Sequence, residues 1–180
     1  MVENAIFDNK RTKYVFVEKW NSVIITDENG NQLAKAKGSS LFDNDGSLIL
    51  KTQNKTKLFS KVKFIGSHEI HSNFEITDSE GNVVGIFQQD HELSFLKNSK
   101  GEDLVIGEFP VVQGSPYGIN DGEGNNIADV TRKKNERFFD SGKLLLHVND
   151  LLFDRKTLLA FMWKYLGMRD PNYNWVHNLV

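Results

Sequence analysis

The chain has 180 residues, 39% of them hydrophobic, with 22 basic and 24 acidic side chains and a formal net charge of -2, which suits one compact domain. It contains no cysteine, so disulfides, thiolate catalysis and sulfur-ligated metals are excluded. The near-neutral balance gives no global attraction to nucleic acid, and any anion site must be a local patch.

Residues 1–12 are polar and read as an N-terminal extension, charged throughout and without the apolar run of a signal peptide. Tyr14 to Val17 and Ser22 to Thr26 are rich in β-branched and aromatic residues and read as strands. Asp27-Glu28-Asn29-Gly30-Asn31 then breaks the run. Its Asp can cap a turn and its Gly supplies the positive φ of a tight hairpin. The same phrase recurs at Asp78-Ser79-Glu80-Gly81-Asn82, at Asn98-Ser99-Lys100-Gly101-Glu102 and at Asp121-Gly122-Glu123-Gly124-Asn125, with a shorter copy at Asp43-Asn44-Asp45-Gly46. Each marks a β-hairpin, and runs between turns give about twelve antiparallel strands ending with Lys143 to Val148. Interior Gly85, Gly107 and Gly118 sit where barrel walls bend.

Residues 157–168, TLLAFMWKYLGM, are apolar on every side of a helix. Leu158, Leu159, Phe161, Met162, Trp163 and Leu166 point all the way round at 100° per residue, unlike an amphipathic surface helix. About a dozen residues fall short of the roughly 20 needed to cross a bilayer, so the helix is expected inside the fold, with no transmembrane segment. An ordinary core helix packed on one sheet is the plainer alternative. Asp154 suits an N-cap, and Gly167 and Pro171 suit a stop. The resulting expectation is a mainly β fold, a β-barrel closed around a hydrophobic helix at about 155–167. The barrel domain spans 13–170 and a tail spans 171–180.

This order of motifs resembles the tubby C-terminal-like fold, which includes the LURP-one-related proteins, the phospholipid scramblases and short prokaryotic relatives. The carriers are the Asp27 hairpin, Phe74 through Gly85, Tyr117 through Gly124 leading to Ile127 through Lys133, and Leu144 to Val148 followed by Asp154 to Phe161. The resemblance implies a twelve-stranded barrel around a central helix. In tubby proteins the domain binds phosphoinositide head groups through basic residues on the strand after an early hairpin. The comparable residues here are Lys35 and Lys37, placed on one face by alternation. Lys61 and Lys63 have the same geometry, and Arg132, Lys133, Lys134 and Arg137 form the densest basic run. A solvated strand face or hairpin loop explains each of these as well.

Other chemistries find little support. Neither Asp43-Asn44-Asp45-Gly46 nor Asp121-Gly122-Glu123-Gly124 has the ligand spacing of an EF-hand. Scramblases carry palmitoylated cysteines, which are absent here, so scrambling is disfavoured. His68-Glu69-Ile70-His71 is one residue short of a zinc-protease motif and lies in strand-like surroundings. His147 reads as a residue of the barrel wall. No phosphate-binding glycine loop occurs, and no basic stripe with interleaved aromatics suggests nucleic acid. The expectation is a cytoplasmic, non-enzymatic module without metal or cofactor, peripherally bound to anionic phospholipid. A protein-interaction or stress-associated scaffold is the alternative, and an unrecognised hydrolase comes third.

Overall fold

Period-two burial along nearly every segment between turns dictates a half-buried sheet, and the computed structural model closes that sheet on itself. It describes residues 5–19, 22–55, 72–90, 93–108, 116–133 and 143–167. Strands β1 (Lys13–Lys19), β2 (Ser22–Thr26), β3 (Gln32–Lys37), β4 (Ser40–Asp43), β5 (Leu48–Asn54) and β6 (Ser72–Asp78) form the first half. The second half is β7 (Val83–Asp90), β8 (Leu93–Lys97), β9 (Asp103–Glu108), β10 (Pro116–Asp121), β11 (Asn126–Lys133) and β12 (Lys143–Val148). One helix, α1 (Arg155–Gly167), follows. Each strand runs antiparallel to the next, and β12 pairs with β1 from Lys13↔His147 to Val17↔Lys143, closing the barrel. Closure leaves no sheet edge to recruit another chain.

The five repeated turns join β2 to β3, β4 to β5, β6 to β7, β8 to β9 and β10 to β11, so an up-and-down meander places all five at one end. They share one geometry. The leading Asp or Asn accepts the amide of the residue two ahead and that of the residue four ahead, as in Asp121 Oδ1 with Glu123 N at 2.9 Å and Asn125 N at 2.8 Å. The fourth residue is a glycine at φ near +85°, for example Gly124 at 88°, and the register shifts by one beside each turn. This is a type I turn with a glycine bulge.

α1 enters at this same end. Asp154 caps it, its Oδ2 accepting from Thr157 N at 2.8 Å and from Thr157 Oγ1 at 2.5 Å. From Leu158 to Met162 every residue is fully buried, and Trp163, Tyr165 and Leu166 are nearly so. Burial in all directions means that the helix fills the barrel. The wall makes room with small inward residues: Ala34, Ala36, Ser94 and Ala128 are buried, and a Cβ on Gly107 would lie 2.8 Å from Phe161 Cζ. Phe161 packs at a tilt against Phe87 at 5.7 Å and stacks with Tyr165 at 5.5 Å between ring centroids. Gly85 also faces inward, against Leu96, whereas Gly118 is exposed and its missing Cβ would meet the Asn126 amide on the outside.

The N-terminal residues do more than extend the chain. Ala5–Phe7 form a short 3-10 turn with Ile6 fully buried, and the Tyr14 hydroxyl donates to Ile6 O at 2.9 Å. Burial pushes the Tyr14 phenol up to about 12, despite the nearby Arg155 and Arg11 cations. Arg155 is completely buried. Its guanidinium donates to Phe153 O at 2.8 Å, Asp150 O at 3.0 Å and Asn9 O at 3.1 Å, with Arg11 O further off at 3.4 Å. One side chain thereby ties the N-terminal segment, the β12–α1 connection and the start of the helix together.

The close approach at Gly107 gives a direct test of the filled barrel. Gly107→Ala is expected to lower unfolding stability by about 1 to 3 kcal/mol, the usual cost of overpacking. Gly107→Ala/Phe161→Leu is expected to lose less than the sum of its single variants in denaturant titrations.

Candidate functional site

Outward residues on β1 to β5 follow from the same alternation that buries Tyr14, Phe16, Ala34, Ala36 and Leu50. The pairing Lys19↔Ser22, Ser22↔Lys37, Lys37↔Ser40 and Ser40↔Lys51 aligns three lysines across five strands with a serine between each pair. Four strand spacings make the row about 19 Å wide. One step along β3, Lys35 stands between Ile24 and Phe42, and Ile24 in turn pairs with Val17. Val17, Ile24 and Phe42 are half-buried on this outer face. Lys19, Lys35, Lys37 and Lys51 are exposed, and among the described residues no carboxylate pairs with any of them. The wall therefore carries uncompensated positive charge separated by small polar and apolar side chains.

Lys35 and Lys37 thus stand where alternation puts them, and the structure adds Lys19 and Lys51. Both extra lysines face outward by the alternation of their own strands, yet only the register of β1 against β2 and of β4 against β5 brings them into the row. In the run at Arg132 and Lys133, Arg132 pairs with the inward Leu144 and shares its face, and the backbone of Lys133 pairs with that of Lys143. Lys61, Lys63, Lys134 and Arg137, and the His68-Glu69-Ile70-His71 segment, lie outside the described residues. His147 is exposed on the wall opposite Lys13.

The end with the repeated turns has the opposite sign. Each of its five turns carries one or two carboxylates, and within them only Lys100 offsets the charge. Four cations at this end are held by acids: Lys13 by Glu28 at 3.0 Å, Lys156 by Asp78 at 3.2 Å, Arg11 by Asp27 at 3.8 Å, and Lys97 by Asp103. Between the N-terminal segment and the β2–β3 turn is a pocket of about 230 Å³, lined by Asp8, Lys10, Arg11, Lys13, Asp27 and Glu28 among others. Its three acids balance its three cations, so it holds no net field for an ion. Among the described residues no cluster of side chains is arranged to hold a metal, and no helix is long and apolar enough to cross a membrane.

Hydrogen bonds lower the acid range of three turn aspartates, Asp27, Asp78 and Asp121. The Asn31 side chain and amide hold Asp27 below the ordinary carboxylate range, with Arg11 adding to the effect, and Asn125 does the same for Asp121. At Asp78 burial pulls upward but is outweighed by the Asn82 amide and side chain and by Lys156. Near the other end of the helix, burial pulls the Lys164 ammonium down to about 8. Its Nζ sits 3.9 Å from the centroid of the Phe74 ring, a contact that favours the charged form, with Thr52 Oγ1 at 3.5 Å as a polar neighbour among the described residues.

No protein-family model matches this chain, and no curated protein matches it. A crystal structure of a protein from Arabidopsis thaliana aligns over 92% of this chain and 99% of its own length at 16% identity, with a TM-score of 0.35.

Two titrations test these electrostatics. Carboxylates with lowered folded pKa values stabilise above their unfolded value of 3.8, and that stability is lost as pH falls through the folded values. Asn98 already leads one turn with a neutral side chain, so Asp27→Asn/Asp121→Asn is expected to fold. Its stability should fall below that of the parent at neutral pH, and the gap should close below about pH 4. Lys164 has the opposite sense. Its lowered folded value means the folded chain binds fewer protons between about 8 and the ordinary 10.5, so stability rises with pH across that window. Relative to Lys164→Met, the parent should gain stability between pH 7.5 and 9.5, measured by denaturant midpoints.

Proposed function

We propose that this protein is a non-enzymatic binding module that recognises anionic phospholipid head groups at a membrane surface through the outer wall of β1 to β5. The observation that carries the reading is the unpaired row Lys19, Lys37 and Lys51 with Lys35 beside it. A barrel filled by its own helix offers its outer wall and its ends to a partner, and the wall is where cations stand unopposed. Their ammonium groups donate to phosphate oxygens as mobile point charges. Ser22 and Ser40 leave room between them, while the half-buried Val17, Ile24 and Phe42 give the face an apolar floor. The tubby-like resemblance supports the same strand, β3, as the centre of contact. Peripheral attachment at a cytoplasmic membrane surface fits this reading, with neither metal nor cofactor required.

Co-sedimentation with vesicles of neutral phosphatidylcholine, with and without added phosphatidylserine or a phosphoinositide, tests it. Binding is expected only to the anionic vesicles, and it should weaken between low salt and 0.15 M as screening shortens the field to about 8 Å. Each lysine near the surface contributes about 1 kcal/mol. Lys35→Ala/Lys37→Ala and Lys19→Ala/Lys51→Ala should therefore each weaken binding by a factor of about ten or more. Equal binding by parent and variants, or none to anionic vesicles at low salt, would remove the lipid reading.

A further inference from the structure

The connection between β12 and α1, residues 149–154, presents two leucines to solvent. Leu151 is 52% exposed and Leu152 is 93% exposed. β12 and β6 stand opposite one another in the twelve-strand ring, and Lys156 at the start of α1 reaches Asp78 at the end of β6. The connection therefore leaves the wall and runs over the mouth of the barrel to the helix at its centre. Its backbone is held in place. Asn149 N and Asp150 N both donate to Ile127 O, at 2.9 and 3.1 Å. Leu152 N donates to Asp150 Oδ1 at 2.8 Å, and the carbonyls of Asp150 and Phe153 accept from the buried Arg155. The leucines are thus displayed on a fixed segment, so a partner would lose little ordering entropy there.

Exposed apolar area is concentrated at this end. Of the five large hydrophobic side chains exposed among the described residues, Leu48 and Val83 directly follow acidic turns and Leu151 and Leu152 lie over the mouth; only Leu93 is at the other end. The surrounding charge selects what can cover them. Four of the five turns around the mouth are acidic and the fifth is neutral, Asp150 and Asp154 flank the leucines, and four of the cations nearby are already paired. Another acidic surface or an anionic bilayer would be repelled, whereas a cationic segment gains from the field while its apolar face covers the leucines.

We propose that Leu151 and Leu152, within the acidic rim, form a docking site for a basic, apolar-faced peptide segment of a partner protein. This site is separate from the lysine wall and stands whether or not that wall binds lipid.

The test uses the full chain and three labelled peptides of about eighteen residues, followed by fluorescence anisotropy at low salt and at 0.15 M. One peptide is an amphipathic helix of Lys and Leu, the second has Ser in place of every Leu at the same charge, and the third has Glu in place of every Lys. The Lys/Leu peptide is expected to bind at least tenfold more tightly than the Lys/Ser peptide, and the Glu/Leu peptide not at all. Leu151→Ser/Leu152→Ser should bring the Lys/Leu peptide down to the Lys/Ser level with an unchanged melting temperature. Glu80→Gln/Glu123→Gln should weaken binding and flatten its salt dependence. Equal affinity for the Lys/Leu and Lys/Ser peptides, or no change in the leucine variant, would overturn the proposal. So would a leucine-dependent self-association in sedimentation, or leucine-dependent binding to neutral phosphatidylcholine vesicles, since each assigns the leucines to another occupant.

Discussion

A closed sheet of twelve strands is too wide for its wall side chains to meet across the axis; eight strands is about the width that side chains alone can fill. Everything else in this molecule depends on how that space is occupied. α1 does it with Leu158, Leu159, Phe161, Met162 and their neighbours, and the wall answers with small residues where the helix comes close. Gly107 against Phe161 is one such match. The helix needs a fixed entry, which Arg155 supplies. A buried guanidinium is costly unless every donor finds an acceptor, and here backbone carbonyls from two distant parts of the chain provide them.

With the interior filled, surface chemistry divides along the barrel. The tight turns need an acceptor at their first position and glycine at their fourth, and four of the five use Asp for the first. That local requirement accumulates carboxylates at one end, because alternate connections of a meander share an end. Lys19 and Lys37 close β1 and β3 at the other end, and Lys143 opens β12 there. A net charge of -2 therefore hides, among the described residues, two regions of opposite sign.

Much of the fold was legible from the sequence because its signals are local. The Asp-x-x-Gly phrases specify hairpins within five residues, and the all-round apolarity of 157–168 specifies a buried helix without reference to a partner. Closure of β1 on β12 was legible only indirectly, as the arrangement that would wrap such a helix. The lysine row was half legible: Lys35 and Lys37 lie two apart on one strand, whereas Lys19 and Lys51 join them through register, which no single segment encodes. The role of Arg155 was not legible because arginine is rarely fully buried and two of its four carbonyl partners, Asn9 and Arg11, lie more than 140 residues away. Ile6 was not legible for a different reason, being an apolar residue set in a polar stretch with no periodicity to mark it.

The filler of this barrel follows all twelve of its described strands in chain order. During synthesis the strands leave the ribosome first, and their inward faces have nothing to pack on until residues 155–167 follow. The seam between β1 and β12 likewise waits for β12. Hairpins can form early from their own turns, but the cooperative core cannot be completed piecewise, and the nascent chain carries twelve half-apolar strands unsealed until the helix that follows them has been made. Such a chain depends on slow, long-range closure and on protection from neighbours while it is unsealed.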